Sequence, residues 1–250
     1  MAVTRHLYIP DTQVAPGVRI THIRALGNYI AAKRPEVIII GGDWYDMKSL
    51  CIYDRDLAEV TQRRYAGDLK AGNEALDALM ECWPKSYKPR MEFTEGNHEV
   101  RAKRLVEMQP TLQGAIEMPG DYAKSRGWTY RPFMEPIVIN GIAYCHLFAR
   151  SANGRVVNTK FGAANARTQV LREMRSCTAG HKPGIEIHVQ PTANGALYGI
   201  IAGSFYQHEE EYMTPQGTTY WRGAIMKHEV RHGQYDIMPL SINYLLRRWL

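Results

Sequence analysis

No stretch of this chain approaches the roughly 20 consecutive apolar residues that a membrane-crossing helix needs, which excludes a helical span and with it a membrane partner. The amino-terminal residues hold no long apolar segment of the kind that directs secretion. Cysteine is scarce and scattered: Cys51, Cys82, Cys145 and Cys177 form no CxxC pair, and three of them adjoin apolar or aromatic residues. That spacing excludes a disulfide framework, and the expectation is reduced thiols in a cytoplasmic protein. Internal repeats, low-complexity tracts and linkers are missing, so nothing marks a second domain. A strong excess of one charge is missing too. The 31 Lys and Arg against 25 Asp and Glu leave a net charge of +6 over 250 residues, with a pI near 9.1. This favours anionic partners and permits nucleic acid among them.

With 45% hydrophobic and 22% charged residues, the chain can bury a full core as a single domain over 1–250. Its first half alternates strand-like and helix-like segments, which predicts a layered α/β arrangement. "HLYI" comes first, followed by a stripe of Ile23, Leu26 and Ile30 at helical spacing, with Gly27 allowing close approach. "EVIII" (36–40) is a β-branched run without alternation, as expected of a strand covered on both faces. Leu69, Leu76, Leu79, Met80 and Trp83 again keep helical period, and "RMEF" follows. The second half reads as more β-rich. "PIVING", "IAYCHLF", "EIHVQ", "GALYGIIAGSFY" and the hairpin "AIMKHEVRHGQYDIMPLSI" are strand candidates, with a helical stretch near 163–175.

Three apolar strands run into loops bearing Asp11, Asp43 and Asn97. Each residue alone would be read as a turn former or helix cap. Three of them, joined by His146 after "IAYC" and His181 in "AGHKP", instead form a set of oxygen and nitrogen donors suited to a divalent cation. A core histidine bonded to backbone is a live competing reading for His146 alone.

The order "PDTQ", "GGDWYD", "GNHE", a lone His after a strand, and "GHKP" resembles the calcineurin-like metallophosphoesterases, whose loops run DxH, GDxxD, GNH(E/D), His and GHxH. The resemblance covers Asp11 to at least His181. The phrases "IPDTQV", "AGHKPG", "GSFYQHEEEY" and "PQGTTYWRG" look like a bacteriophage-encoded branch. It implies a four-layer α/β/β/α sandwich with the loops gathered at one edge of two sheets. It further implies two divalent metal ions, with Asp43 between them, Asn97, His146 and His181 completing the second and Asp11 the first. A hydroxide held between the ions would attack the phosphorus. His98 would assist the leaving group or stabilise the transition state, Glu99 would orient the site, and Asp46 would accept a hydrogen bond from a site residue. The implied activity is phosphoester hydrolysis.

The chain departs from that pattern twice. Gln13 stands where the family has the histidine of DxH, and Pro183 where it has the second histidine of GHxH; both belong to the first metal. With Asp11, Gln13 and Asp43 as ligands that site is all-oxygen, suited to Mn²⁺ or Mg²⁺ over Zn²⁺, with Ni²⁺ or Fe²⁺ as further options. The expectation is one tight cation of mixed nitrogen and oxygen ligation and a weaker one at the first site. His188 or His208 could replace a lost ligand, although a structural or surface role is the commoner one for both. A slipped alignment, with Ala179 at the first GHxH histidine, would move His181 to the other metal. The intact Gly180-His181 pair favours the direct match.

Arg101 and Arg104 follow "GNHE" at helical spacing and could reach a substrate phosphate; a solvated helix face is equally expected. Tyr206, Tyr212, Tyr220 and Trp221 could stack on bases, or pack as an aromatic hairpin, and the acidic run Glu209–Glu211 opposes a continuous basic groove. Phosphodiesters in DNA, RNA or a nucleotide lead the substrate classes. Phosphomonoesters and a non-catalytic binder of phosphate compounds or of a host protein are the alternatives. No feature of the sequence sets an oligomeric state.

Overall fold

A computed structural model describes residues 3–51, 63–148, 164–209 and 219–250. Its first sheet has six strands: β1 (Thr4–Ile9), β2 (Val37–Ile40), β3 (Arg90–Thr94), β4 (Thr129–Arg131), β10 (Gly223–Arg231) and β11 (Gln234–Ser241). They lie in the order β11-β10-β1-β2-β3-β4, with β1 to β4 parallel and β10 and β11 antiparallel on one side. The second sheet has five: β5 (Ile137–Ile139), β6 (Ile142–Tyr144), β7 (Cys177–Ala179), β8 (Glu186–Thr192) and β9 (Gly195–Ile201), in the order β5-β6-β7-β9-β8. Here β6, β7 and β9 are parallel, and the outer strands run against them.

The period-two geometry of a strand distributes its side chains between two cores. Leu7, Ile9, Ile38, Ile40 and Phe93 face a helical layer built from α1 (Thr21–Lys33), α2 (Tyr65–Met80) and α6 (Ile242–Trp249). Their neighbours Tyr8, Val37 and Ile39 face the second sheet and meet Ile137, Ile139, Ile142, Tyr144 and Ile200. On the far side of that sheet, α5 (Ala166–Glu173) lays Ala166 and Val170 on Cys177, Ala179 and Ile201. The architecture is therefore α/β/β/α, as expected. β2 is buried along its whole length because it has a sheet on one side and helices on the other, which explains why "EVIII" lacks alternation.

Polar groups also cross the layer between the sheets. His6 Nδ1 and Tyr144 Oη lie 2.7 Å apart. The fully buried Lys227 donates to Thr178 Oγ1 at 2.5 Å and lies 4.3 Å from the centre of the Tyr144 ring. Among the described residues this lysine has no carboxylate partner, and a hydroxyl and aromatic faces solvate it instead. Burial lowers its pKa well below the usual range.

Several elements differ from the sequence reading. The strand expected through "GALYGIIAGSFY" stops at Ile201, and Ser204 makes only isolated bridges beyond it. The helix expected near 163–175 spans Ala166–Glu173, its first expected residue lying outside the described ones. α2 closes at Met80, so Trp83 packs from beyond its end. α3 (Val100–Met108) provides the helix on which Arg101 and Arg104 are spaced, whereas α4 (Pro119–Ser125), β4 and α6 were not among the expected elements. The short α4 and β4 carry too few residues for a periodic signal, and α6 follows the final hairpin without a break, starting at the Ser241 cap that accepts from Tyr244 N.

Gly27 sets the crossing of α1 and α2: a Cβ there would lie 2.5 Å from the Leu79 carbonyl oxygen. Alanine would gain about 1 kcal/mol of helix propensity, but it would wedge the helices apart. Gly27→Ala is expected to lower stability by about 1–3 kcal/mol net, read as an earlier urea midpoint. A midpoint at or above the wild-type value would show that the close approach sets nothing.

Candidate metal centre

All six parallel strands that carry the candidate loops end at one edge of the paired sheets. β1 delivers Asp11 and Gln13, β2 Asp43, β3 Asn97, β6 His146, β7 His181 and β9 Ser204. In α/β folds this carboxyl edge is where ligand sites form, because turns there can carry polar groups without breaking the sheet. The loops are tied to one another by backbone. Thr12 N and Gln13 N both donate to the Asp43 carbonyl at 3.0 and 2.8 Å, and Phe205 N donates to the Asp11 carbonyl at 2.7 Å.

Four donor atoms converge at the centre. Asn97 Oδ1 lies 3.0 Å from His146 Nε2 and 2.8 Å from His181 Nδ1; the two imidazole nitrogens are 3.2 Å apart, and Asp43 Oδ2 is 3.4 Å from His146 Nε2. Ligands held about 2.1 Å from one cation stand roughly 3.0 Å apart at right angles and 3.4 Å apart at tetrahedral angles, so this spacing matches the coordination shell of a single ion. His146 Nδ1 faces the Gly41 carbonyl at 2.8 Å. Donating there fixes the proton on Nδ1 and leaves the Nε2 lone pair for a cation. Burial keeps the His146 pKa below its usual value and pushes His181 down to about 4, so both rings are neutral, as a metal requires.

His181 stands with Asn97 and His146, which is the direct match of "GHKP"; Ala179 lies inside β7. Gly180 is needed beside it, since a Cβ there would lie 2.3 Å from Asp11 Oδ1. Asp11 Oδ1 accepts from His181 N at 2.9 Å, and burial, followed by the neighbouring Asp43 charge, raises its pKa well above the carboxylate range. Two carboxylates buried close together are costly when both are charged. Among the described residues Gln13 Oε1 is buried with no hydrogen-bond partner, which leaves an unpaired acceptor in the loop that carries Asp11. Gln13, Asp43 and His181 all adopt positive φ, at 45°, 49° and 68°. Each such non-glycine residue costs on the order of 1 kcal/mol or more, and these three stand in loops that carry the candidate donors, although turns elsewhere, such as those at Arg34 and Asn140, also hold positive φ.

Asp43 Oδ1 accepts from His98 N at 2.9 Å, so Oδ2 is the oxygen facing the imidazoles. The His98 ring is largely buried between Asp46, 3.3 Å from Nδ1, and Asp43, 3.8 Å from Nε2. Burial disfavours its charge, yet Asp43 and Asp46 together raise its pKa above the usual value.

Glu99 touches no donor of the centre through its side chain. Its Oε2 accepts from Asp43 N at 2.9 Å and Gly96 N at 2.8 Å, and its Oε1 from Tyr45 N at 3.0 Å. It pins the "GGDWYD" and "GNHE" loops together. Arg101 Nη1 donates to the carbonyls of Asp46 and Met47 at 2.9 and 3.2 Å, binding the same loop from outside. Arg104 is exposed on α3, and no described contact joins it to the centre. His188 pairs with Gln190 along its own strand, and His208 stacks on Tyr206; neither belongs to the donor cluster. Ser204 was not among the expected site residues; among the described residues its buried Oγ has no hydrogen-bond partner, and its backbone bridges Asp11. The signal was present: "IIAGS" is a further apolar strand ending in Gly and a polar residue.

No protein-family model matches the chain, and no curated protein is similar to it. Among solved structures it is similar to a conserved protein of Streptococcus pneumoniae TIGR4 described as a predicted phosphoesterase. The identity is 11% and the TM-score 0.38, covering 96% of this chain and 99% of that one. At that distance the likeness carries no argument about chemistry, which rests on the side chains.

Removing the Glu99 carboxylate strands three buried amide donors, each costing about 1–3 kcal/mol when unsatisfied. Glu99→Ala is therefore expected to lose about 3 kcal/mol or more in urea unfolding, with Glu99→Gln losing less. Equal stability of wild type and Glu99→Ala would refute the clamp.

Proposed function

We propose that this chain hydrolyses phosphoesters, with phosphodiesters of nucleic acid or nucleotides as the leading substrates, using two divalent cations held at the carboxyl edge. The observation that carries this reading is the packing of Asn97 Oδ1, His146 Nε2, His181 Nδ1 and Asp43 Oδ2 at coordination-shell spacing. The orphaned Gln13 Oε1 supports a second, oxygen-rich position with Asp11 and Asp43. Divalent cations bound there would supply positive charge to the phosphoryl oxygens and lower the pKa of a water to the neutral range.

The chain's own groups do the rest. Asp43 joins the two halves of the site: its carbonyl holds the Asp11–Gln13 loop and its carboxylate faces the imidazoles. The largely buried His98 ring has Nδ1 3.3 Å from Asp46 Oδ1, a pair that forms when the ring is protonated, and in that state Nε2–H can be given to the departing oxygen. Glu99 keeps the two loops at fixed separation, so the donors need not reorganise when charge develops. The positive net charge raises the encounter rate with anionic substrates.

With Mn²⁺ present, turnover of bis-p-nitrophenyl phosphate is the expected result, and turnover of p-nitrophenyl phosphate alone would remove the diesterase reading. His98→Ala should lower kcat by about 10²–10⁴ while calorimetry still records bound Mn²⁺, whereas Asp43→Ala should lose both. An unchanged rate in His98→Ala would remove His98 from the reaction, and no turnover by the wild type on either substrate would transfer support to a non-catalytic binder.

The two positions should also differ in affinity, because imidazole nitrogens hold a transition metal more firmly than an amide oxygen does. His181→Ala is expected to abolish the tighter binding event and Gln13→Ala only the weaker. Two equally tight Zn²⁺ ions in the wild-type protein would contradict this assignment.

A further inference from the structure

One cavity, lined by none of the donors of the metal centre, has no role in the reaction described above. It measures about 370 Å³ and is lined by Tyr206, Gln207, Tyr220, Trp221, Arg222 and Asn243, among others. Arg222 is its organising group. The guanidinium carbon lies 4.9 Å from the Tyr206 ring centre and 5.0 Å from that of Tyr220, so aromatic rings hold it. Its Nη1 donates to the His208 carbonyl at 3.0 Å and reaches the Tyr206 carbonyl at 3.4 Å, while Nε is buried with no acceptor among the described residues. No carboxylate pairs with Arg222 among the described residues. Rings and carbonyls fix this cation in place, and among the described residues, which leave out Glu210 and Glu211, its charge has no counter-anion; with Nη1 bonded and Nε buried, Nη2 is the N–H group left to meet an oxyanion.

The position of Arg222 says which anion. Asp11, Ser204 and Arg222 are successive partners in a ladder of parallel bridges, closed by Gly223 N donating to the Ser204 carbonyl at 2.9 Å. Adjacent strands stand about 4.8 Å apart, so the Arg222 backbone is about 10 Å from that of Asp11. A ligand reaching across both places therefore carries two anionic groups a short distance apart. The cavity is large enough for a small organic group, and half-buried Tyr220 and Trp221 offer ring surface to a base.

We propose that this cavity is a substrate subsite in which Arg222 binds the next phosphate of a substrate that carries more than one, with its base against Tyr220 and Trp221. The proposal rests on the phosphoesterase reading for its place in catalysis, and it deepens that reading by selecting substrates with a second phosphate over simple diesters. The second phosphate could belong to a nucleic-acid strand or to a free nucleotide, and the chemistry recognised is the same.

The test compares Arg222→Met with wild type on two substrates in Mn²⁺: pentathymidylate, which has neighbouring phosphates, and bis-p-nitrophenyl phosphate, which has one. For pentathymidylate KM should rise tenfold or more with kcat within about threefold, while kcat/KM for bis-p-nitrophenyl phosphate stays within about twofold. Repeating the comparison with a nucleoside triphosphate tells the two sources apart, and the selective effect on either one supports the subsite. Equal losses on all substrates, or no loss on any, would overturn it. A second measurement needs neither turnover nor a variant. Calorimetry of the metal-stripped wild-type protein with pyrophosphate should show one bound molecule, and Arg222→Met should lose it. Absence of pyrophosphate binding to wild type would overturn the subsite even if the enzyme is active. Pyrophosphate binding in a chain that hydrolyses none of these substrates would leave the subsite standing and remove the phosphoesterase reading.

Discussion

The hydrogen bond between His146 Nδ1 and the Gly41 carbonyl, 2.8 Å long, joins the edge of one sheet to the edge of the other. Every other feature of the centre depends on that registration. Asp11, Asp43 and Asn97 belong to the first sheet and His146 and His181 to the second, so a slip between the layers would separate the carboxylate and amide oxygens from the imidazoles. Tyr8 Oη, which donates to the Cys145 carbonyl at 3.2 Å, and the apolar layer below it resist such a slip. The same bond also decides which imidazole nitrogen is a lone pair, so it sets geometry and chemistry together.

The edge stores unfavourable energy in several forms: buried carboxylates, an orphaned amide oxygen, and non-glycine residues at positive φ. Each is costly by itself. What sets them apart from ordinary turn irregularity is that a bound cation would relieve the carboxylate repulsion and occupy the unpaired amide oxygen at once. Glu99 makes this tolerable. It is buried too, and burial with the Asp43 charge pushes its pKa up to about 7, yet its three amide bonds hold the loops in the strained form. Arg101 does similar work from outside the loop, which explains its place four residues after Asn97 without invoking substrate.

The fold was legible where burial on two faces leaves an unmistakable pattern. "EVIII" reads as a doubly covered strand because its alternating residues enter different cores, both apolar. The α1 stripe of Ile23, Leu26 and Ile30 reads as a helix because only one side meets the sheet. α6 was hidden because its sequence continues directly from a hairpin strand, and the switch from period two to helical period occupies only eight residues. "GALYGIIAGSFY" reads as one strand since it is apolar throughout, but Ser204 must leave the sheet to bridge Asp11 and Arg222.

By itself the sequence determined the donor inventory: which strand ends carry carboxylate, amide or imidazole, and that Gln13 and Pro183 stand where imidazoles would be expected. Residue chemistry and strand order are properties of the chain, and they need no folding to be read. Only the tertiary structure decided which donors meet. It put His181 with Asn97 and His146, turned Glu99 away from the centre onto three amides, and held Arg222 with rings beside the Asp11 loop. These outcomes depend on the relative placement of two sheets, which is fixed by contacts between residues far apart in the chain and leaves no local periodic trace.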